Sequence, residues 1–322
     1  MTRRIAVATV TRNRPRMLRQ LLLSFRKLNL PTNVHVDFLV VENNSAKTLG
    51  EIIEDFSCTV SAQNVVYLLE PELGIARARN RALNYAINQG FDLLTFADDD
   101  EVVDPCWLIE LLKERDKYNL QLLGSPVRLA LPDPALSWWS KMVWETVNEN
   151  NRRAEKRSIK RWAEGRAADV KIATGSWMGE LSFFRRTGLR FNDSLELAGG
   201  EDWLLYEEAR IKGARTGWTP YAIAYETLPA SRLTLKYNYR RDRDHACMVF
   251  MERLRKRPSA SIVPLLGSLL VRVYKTLIAI AMFPFQPKRA LLASVNNIGS
   301  CVGFVRGFLG VKSSHYTTTD GY

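Results

Sequence analysis

Cysteine is scarce in this chain, and no two cysteines stand close together: Cys58, Cys106, Cys247 and Cys301 are spread over 322 residues. That spacing excludes a zinc cluster and a disulfide framework, and it fits a reducing compartment. Internal repeats and low-complexity tracts are also missing. The opening stretch "MTRRIAVATVTRNR" returns to charge too soon for a signal peptide, so residues 1–255 are expected to stay in the cytoplasm. Acidic residues are short as well, 34 against 46 basic ones, for a net charge of +12. An excess of that size points to an anionic partner (nucleic acid, an anionic membrane surface or a phosphorylated substrate) without choosing among them. The remaining composition, 46% hydrophobic and 25% charged, is ordinary for a globular chain long enough for one large or two modest domains.

Four apolar, β-branched runs recur early: "IAVATV" (5–10), "VDFLVVE" (36–42), "NVVYLL" (64–69) and "DLLTFA" (92–97). Their hydrophobicity is continuous rather than alternating, as in strands buried on both faces. Helical spacing predicts helices over 15–28, where Met17, Leu18, Leu21, Leu22, Phe25 and Leu28 share a face, and over 74–90 and 104–119. Alternating strand and helix predicts a doubly wound, mostly parallel α/β sheet, which binds ligands at the carboxyl ends of its strands. After residue 130 the rhythm breaks into a Trp-rich stretch (132–146), a basic stretch (148–171) and a second structured stretch (172–227) with "GGEDWLLYEEARIKG". The apolar segments 261–283 and 290–310 follow, the first interrupted by Arg272 and Lys275. Charges so placed are costly at a bilayer centre, so an interfacial helix or re-entrant hairpin is expected rather than two clean spans. Ordinary core helices capping the domain are the alternative. Arg253, Arg255, Lys256 and Arg257 before the segment, with Lys288 and Arg289 between, would favour an anionic cytoplasmic leaflet.

The chemistry concentrates at strand ends. Asp98, Asp99 and Asp100 directly follow the fourth strand, and hard carboxylate oxygens there suit Mg²⁺ or Mn²⁺ with phosphate oxygens as further ligands. Thr11 and Arg12 end the first strand, and Glu42, Asn43 and Asn44 end the second. Arg77, Arg79 and Asn80 open the helix after the third, where guanidinium groups near a helix N-terminus make a natural diphosphate site. An acidic turn and a solvated arginine face are the bland readings of the same residues.

In order and spacing, "TVTRNRPRMLRQLLLSF", "VVENNS", "GIARARNRAL", "FADDDE" and "GGEDW" resemble the inverting family-2 glycosyltransferases of GT-A fold, over residues 3–225. The wider arrangement is similar to bacterial enzymes of the succinoglycan type, which build exopolysaccharide on lipid carriers. The resemblance implies transfer of a hexose from a UDP-sugar to a hydroxyl of a lipid-linked saccharide, at the cytoplasmic face of the bacterial plasma membrane and with no nucleic-acid partner. It implies Asp100 as metal ligand, Asp98 reaching the ribose or the metal shell, Asp99 beside them, and Asp202 as general base with Glu201 supporting it. Glu42 stands where the family usually has an Asp contacting the uracil or ribose. His245 becomes a possible third metal ligand. With Arg240, Arg241 and Arg243 it belongs to "YNYRRDRDHACM", which lacks the Gln-x-x-Arg-Trp motif of processive relatives. One sugar per encounter follows. Cys247 is expected to be a core thiol, and an N-cap is the bland reading of Asp202. Trp177 and the tryptophans of 138–144 could stack on acceptor sugars, line a membrane interface or be core.

The expected division is a nucleotide-sugar half (1–130), an acceptor and catalytic-base half of the same domain (131–250), and a basic, hydrophobic membrane-associated tail (251–322). A sugar-nucleotide nucleotidyltransferase would share the sheet and the metal, but "TVTRNRPRM" has none of the glycines of its phosphate loop. A basic module without catalysis would not need both acid motifs.

Overall fold

In the computed structural model, residues 2–60, 63–172, 175–193, 200–256 and 262–311 are described. The four early apolar runs become strands, joined by helices: β1 (Arg3–Thr11), α1 (Pro15–Phe25), β2 (Val34–Glu42), α2 (Gly50–Thr59), β3 (Val65–Leu69), α3 (Ile75–Asn88) and β4 (Leu93–Ala97). Pro15 sits in the first turn of α1, where no amide hydrogen is needed. The predicted helix over 15–28 stops at Phe25, and the bonds Lys27 N–H to Ser24 O and Leu28 N–H to Phe25 O close it with tighter turns. Helix α2 was not expected. Only Ile53 and Phe56 are buried along it, too few apolar positions for a helical period to stand out.

The second half adds β5 (Glu101–Val103), α4 (Trp107–Tyr118), β6 (Leu122–Gly124), β7 (Val127–Leu129), α5 (Trp138–Ala163), β8 (Ser176–Glu180), α6 (Leu181–Thr187), α7 (Glu201–Ile211), β9 (Thr216–Trp218) and β10 (Ala224–Glu226). A seven-stranded sheet runs in the order β3-β2-β1-β4-β8-β6-β9. Strand β1 lies parallel to β2 and β4, and β2 parallel to β3, while β8 runs antiparallel to both its neighbours. The sheet is therefore mostly parallel with one reversed strand, and strands from both halves of the chain share it. Alternate side chains of β1 feed opposite cores: Ile5 and Val7 enter one cluster, Ala6 and Ala8 the other. Each large apolar side chain fully buried this way contributes roughly 1.5–3 kcal/mol. Trp177 is wholly buried and stacks on Phe96 at 5.6 Å, so it is core and out of a sugar's reach.

A second sheet, β5-β10-β7, begins immediately after the three aspartates and sets Glu226 opposite Glu101. The chain then forms α8 (Leu235–Lys256), α9 (Ile262–Ala281) and α10 (Pro287–Phe308). Helix α10 lies against α8 along Gly299, Gly303 and Gly307, where side chains would collide with the backbone at Tyr239 and Arg243 and with Phe250. Cys247 is buried in this contact, and its thiol donates to the Val311 carbonyl at 3.1 Å. Helix α9 folds back on α10. Arg272 donates to Ser300 Oγ at 2.9 Å and lies over the Phe304 ring, while Leu270, Val271, Tyr274, Leu277 and Ile280 face outward. Among the described residues no helix is long and apolar enough to cross a membrane. Helix α10 thus packs on α8 as the alternative expectation had it, while α9 leaves an apolar surface exposed. Gly199 of "GGEDW", Arg257, and the side chains of Arg253, Arg255 and Lys256 lie outside the described residues.

Candidate active site

The carboxyl ends of β1, β2 and β4 converge as the parallel topology requires, and three arginines bind the acidic loop between them. Thr11 Oγ1 donates to Asp99 at 2.8 Å, and Arg14 reaches Asp99 at 2.9 Å and Asp100 at 3.2 Å. Arg232, on the short 3₁₀ turn Ala230–Arg232 ahead of α8, donates to Asp100 at 3.3 Å and lies 3.9 Å from Glu226. Arg79, one turn into α3, spans Asp98 at 2.8 Å and Glu201 of α7. Like charges packed this closely need such partners, because opposite charges favour the ionised form while burial opposes it. Burial and Asp100 push Asp99 up to about 6 against the pull of Arg14 and Thr11. Burial and Asp98 likewise raise Asp100, although Arg232 and Arg14 oppose them. Glu101 is raised well above the usual range by burial and then by Asp98 and Asp100.

Glu101 accepts the Asp98 amide hydrogen at 3.0 Å, so it shapes the loop. Its other oxygen and Asp98 Oδ2 face Gly175, where a side chain would close the approach. Asp98 is the most open of the three aspartates, with 36% of its side chain exposed. Asp98 and Asp100 supply the hard oxygens a divalent ion prefers, so the donor chemistry fits. Among the described residues no group of three His, Cys, Asp or Glu side chains could hold a metal ion, and His245 is not grouped with these aspartates.

Helix α7 sets the opposite wall. Gly200, with φ of 88°, takes the N-cap position, which places Asp202 in the first turn, where its Oδ1 accepts the Trp203 N–H at 2.7 Å and so satisfies one of the helix's free amides. Asp202 is half-buried and within electrostatic range of His245 on α8. Glu201 is buried, and burial raises its pKa although Arg79 opposes. One of its oxygens, Oε2, has no hydrogen-bond partner among the described residues.

The remaining candidates have mostly internal partners. Glu42 is fully buried and accepts from Thr48, Asn44 and the Tyr67 hydroxyl. Burial works against its ionisation, but those hydrogen bonds outweigh it and hold Glu42 below the usual carboxylate range, while burial and Glu42 push Tyr67 up to about 12. Asn43 fastens the β3–α3 loop: it donates to the carbonyls of Glu70 and Glu72 and accepts from Gly74 N–H at 2.9 Å. Gly74, at φ 150°, lets that loop enter α3 and so aims Arg79. Arg77 is half-exposed and paired with Glu72, and Arg12 is half-buried beside the loop. Arg241 and Arg243 pair with Asp242 and Asp244 along α8, and Arg241 also lies within electrostatic range of Glu226. Arg14, Arg232, Glu226 and Tyr67 complete the site without standing out in the sequence. Only Arg14 had a local signal, since Pro15 fixes where α1 begins.

The family model described as Glycosyl transferase family 2 matches residues 6–173, which include the aspartates and Arg79 and end before α7. The chain belongs to glycosyl transferase family 2. Its family relatives include the succinoglycan biosynthesis protein ExoM of Rhizobium meliloti, 26% identical over 241 residues that span 73% of this chain and 71% of that protein. Two solved structures share the fold. The mannosyltransferase PcManGT of Pyrobaculum calidifontis, in complex with GDP-Man and Mn²⁺, matches with a TM-score of 0.62 at 15% identity over 95% of this chain and 87% of its own. S. aureus TarS 1–349, in complex with UDP, matches with a TM-score of 0.51 at 13% identity over 95% and 92%. The fold of this family-2 chain is thus α/β and GT-A-like.

Proposed function

We propose that this family-2 protein is a metal-dependent inverting glycosyltransferase that moves a hexose from a UDP-sugar to a hydroxyl of a lipid-linked saccharide, in cell-surface or exopolysaccharide synthesis. The observation that carries the reading is Arg79, whose guanidinium joins Asp98 on the donor side to Glu201, the neighbour of Asp202, on the acceptor side. In-line displacement at an anomeric carbon needs a base on the acceptor hydroxyl and positive charge on the leaving diphosphate, on opposite sides of the sugar. Asp202 takes the acceptor proton. Asp98 and Asp100 would hold Mg²⁺ or Mn²⁺, which would neutralise the leaving diphosphate. Two protein carboxylates suffice for this, since such ions take phosphate oxygens and water for the rest of their shell. Thr11, Arg12, Glu42, Asn43, Arg77 and Arg79 form the nucleotide side, Glu42 and Asn43 through the loops they fasten. The complexes of TarS with UDP and of PcManGT with GDP-Man and Mn²⁺ support a nucleotide-sugar donor and a divalent ion.

On this reading residues 1–130 serve the donor, 131–250 the acceptor and base, and 251–322 hold the protein on the cytoplasmic face of the plasma membrane. The outward apolar surface of α9, with Lys275 on it and Lys288 and Arg289 nearby, supports a peripheral contact with anionic lipid. Incubation with UDP-sugars, Mn²⁺ or Mg²⁺ and a membrane extract should release UDP. A nucleotidyltransferase would release pyrophosphate instead, and absence of metal-dependent UDP release with any common donor would overturn the proposal. Asp202→Asn should lower turnover by a factor of about 10²–10⁴ while leaving UDP affinity nearly intact. Lost nucleotide affinity with turnover kept would remove Asp202 from the base role.

A further inference from the structure

Helix α5 carries charge that the site above does not use. Trp144, Asn148, Arg152 and Lys156 recur every fourth residue and fall along one face of the helix. That face walls two adjoining grooves of about 370 and about 410 Å³, which share Asn148, Arg152 and Lys156. Edge strand β7 and Tyr225 of β10 form the opposite side of the larger groove. Arg128 is paired with Glu155 at 2.7 Å, and Arg153 with Glu149. Among the described residues Arg152 and Lys156 have no such partner, and both are exposed.

We infer that this face of α5, with β7 and Tyr225 opposite, binds a saccharide chain carrying carboxylate groups. That this chain is the acceptor rests on the glycosyltransferase reading. Carboxamides of Asn148 and Asn151 can both donate to and accept from sugar hydroxyls, and aromatic faces suit the C–H faces of sugar rings. Arg152 and Lys156 supply charge-assisted hydrogen bonds to acid groups. Residues one helical turn apart stand about 5–6 Å from each other, close to the advance per residue of an extended sugar chain. Glu145, Glu149 and Glu155 also line the grooves. All three are paired, with Lys288, Arg153 and Arg128, which leaves Arg152 and Lys156 as two discrete cations that match spaced carboxylates better than the continuous charge of a nucleic acid.

The test is a calorimetric titration of the full chain, without donor, using a galacturonate hexasaccharide, its neutral galactose counterpart and a single-stranded oligonucleotide. The acidic saccharide should bind at least about tenfold more tightly than the neutral one. R152A/K156A should weaken it by about tenfold or more with UDP affinity unchanged. R157A/K160A removes equal charge from exposed positions outside the grooves and should change it less than about twofold. Equal losses in the two double variants, equal affinity for acidic and neutral chains, or tighter binding of the oligonucleotide would each overturn the inference. Because no donor is present, failed UDP release leaves this result standing, and a failed titration leaves the UDP-release result standing.

Discussion

Replacing Arg79 by alanine would leave Asp98 and Glu201 facing each other with the group that joined them removed. Arg79 is only 3% exposed at its side chain, so solvent does little of its work. Breaking a buried pair by removing one partner typically costs about 3–5 kcal/mol, and Arg79→Ala should lose that much in urea unfolding. A loss below about 1 kcal/mol would show that the two carboxylates protonate or re-pair instead. Arg79→Lys keeps the charge without the fork that reaches both, so it should fold better than Arg79→Ala and still be inactive. Glu42 gives a pH signature. Its pKa is lowered by its hydrogen bonds from an ordinary value of 4.5, so its contribution to stability is present above that value and lost as pH falls through the lower folded value. Thermal midpoints should therefore drop below about pH 4.5 in the wild type, with a shallower drop in Glu42→Gln. Parallel curves for the two proteins would rule Glu42 out as the source. The aspartates were legible from their place after an apolar run, because strand ends in a parallel sheet are ligand edges. Arg232 and Glu226 were not, since they meet Asp100 only through tertiary contact across more than a hundred residues.

Elements were legible in proportion to how much periodic surface each one buries. The runs that became β1, β2 and β4 are largely apolar because both faces of the sheet are covered there, while β3, at the sheet's edge, is half-buried along its length. Strands β5, β6, β7, β9 and β10 have three residues each, too short to show a period of two against their surroundings. Helix α5 hid for another reason: Ser140, Met142, Val143 and Thr146 are its buried residues, all near one end, and the rest is polar surface. Helix α10 offers a paired test of what its glycines do. At Gly303 an added Cβ would fall inside the contact distance of the Arg243 carbonyl, while at Gly267 of α9 nothing lies within 4 Å. Gly303→Ala should lower the thermal midpoint and expose α10 to limited proteolysis. Gly267→Ala should be neutral or stabilise by up to about 1 kcal/mol through helix propensity alone. Equal behaviour of the two variants would mean that the α8–α10 contact is looser than this geometry.

For the whole molecule, the net charge of +12 gains a location. The basic residues of α5 flank the grooves, and those near α9 and α10 border an apolar surface. If that surface rests on anionic lipid, vesicle binding should weaken as salt rises, with an apolar remainder that salt does not remove. Leu277→Glu changes a side chain 60% exposed and should reduce partition into anionic vesicles while leaving the unfolding free energy within about 0.5 kcal/mol of wild type. Unchanged partition would shift the lipid contact away from α9. The glycines of α10 also act as a ruler. Spaced every four residues, they admit the carbonyls of α8 and forbid a slide of one residue, which would bring Ser300 or Phe304 where only hydrogen fits. A shift of α10 along α8 is therefore tolerated only in steps of about one helical turn, which keep a glycine at two of the three contact positions.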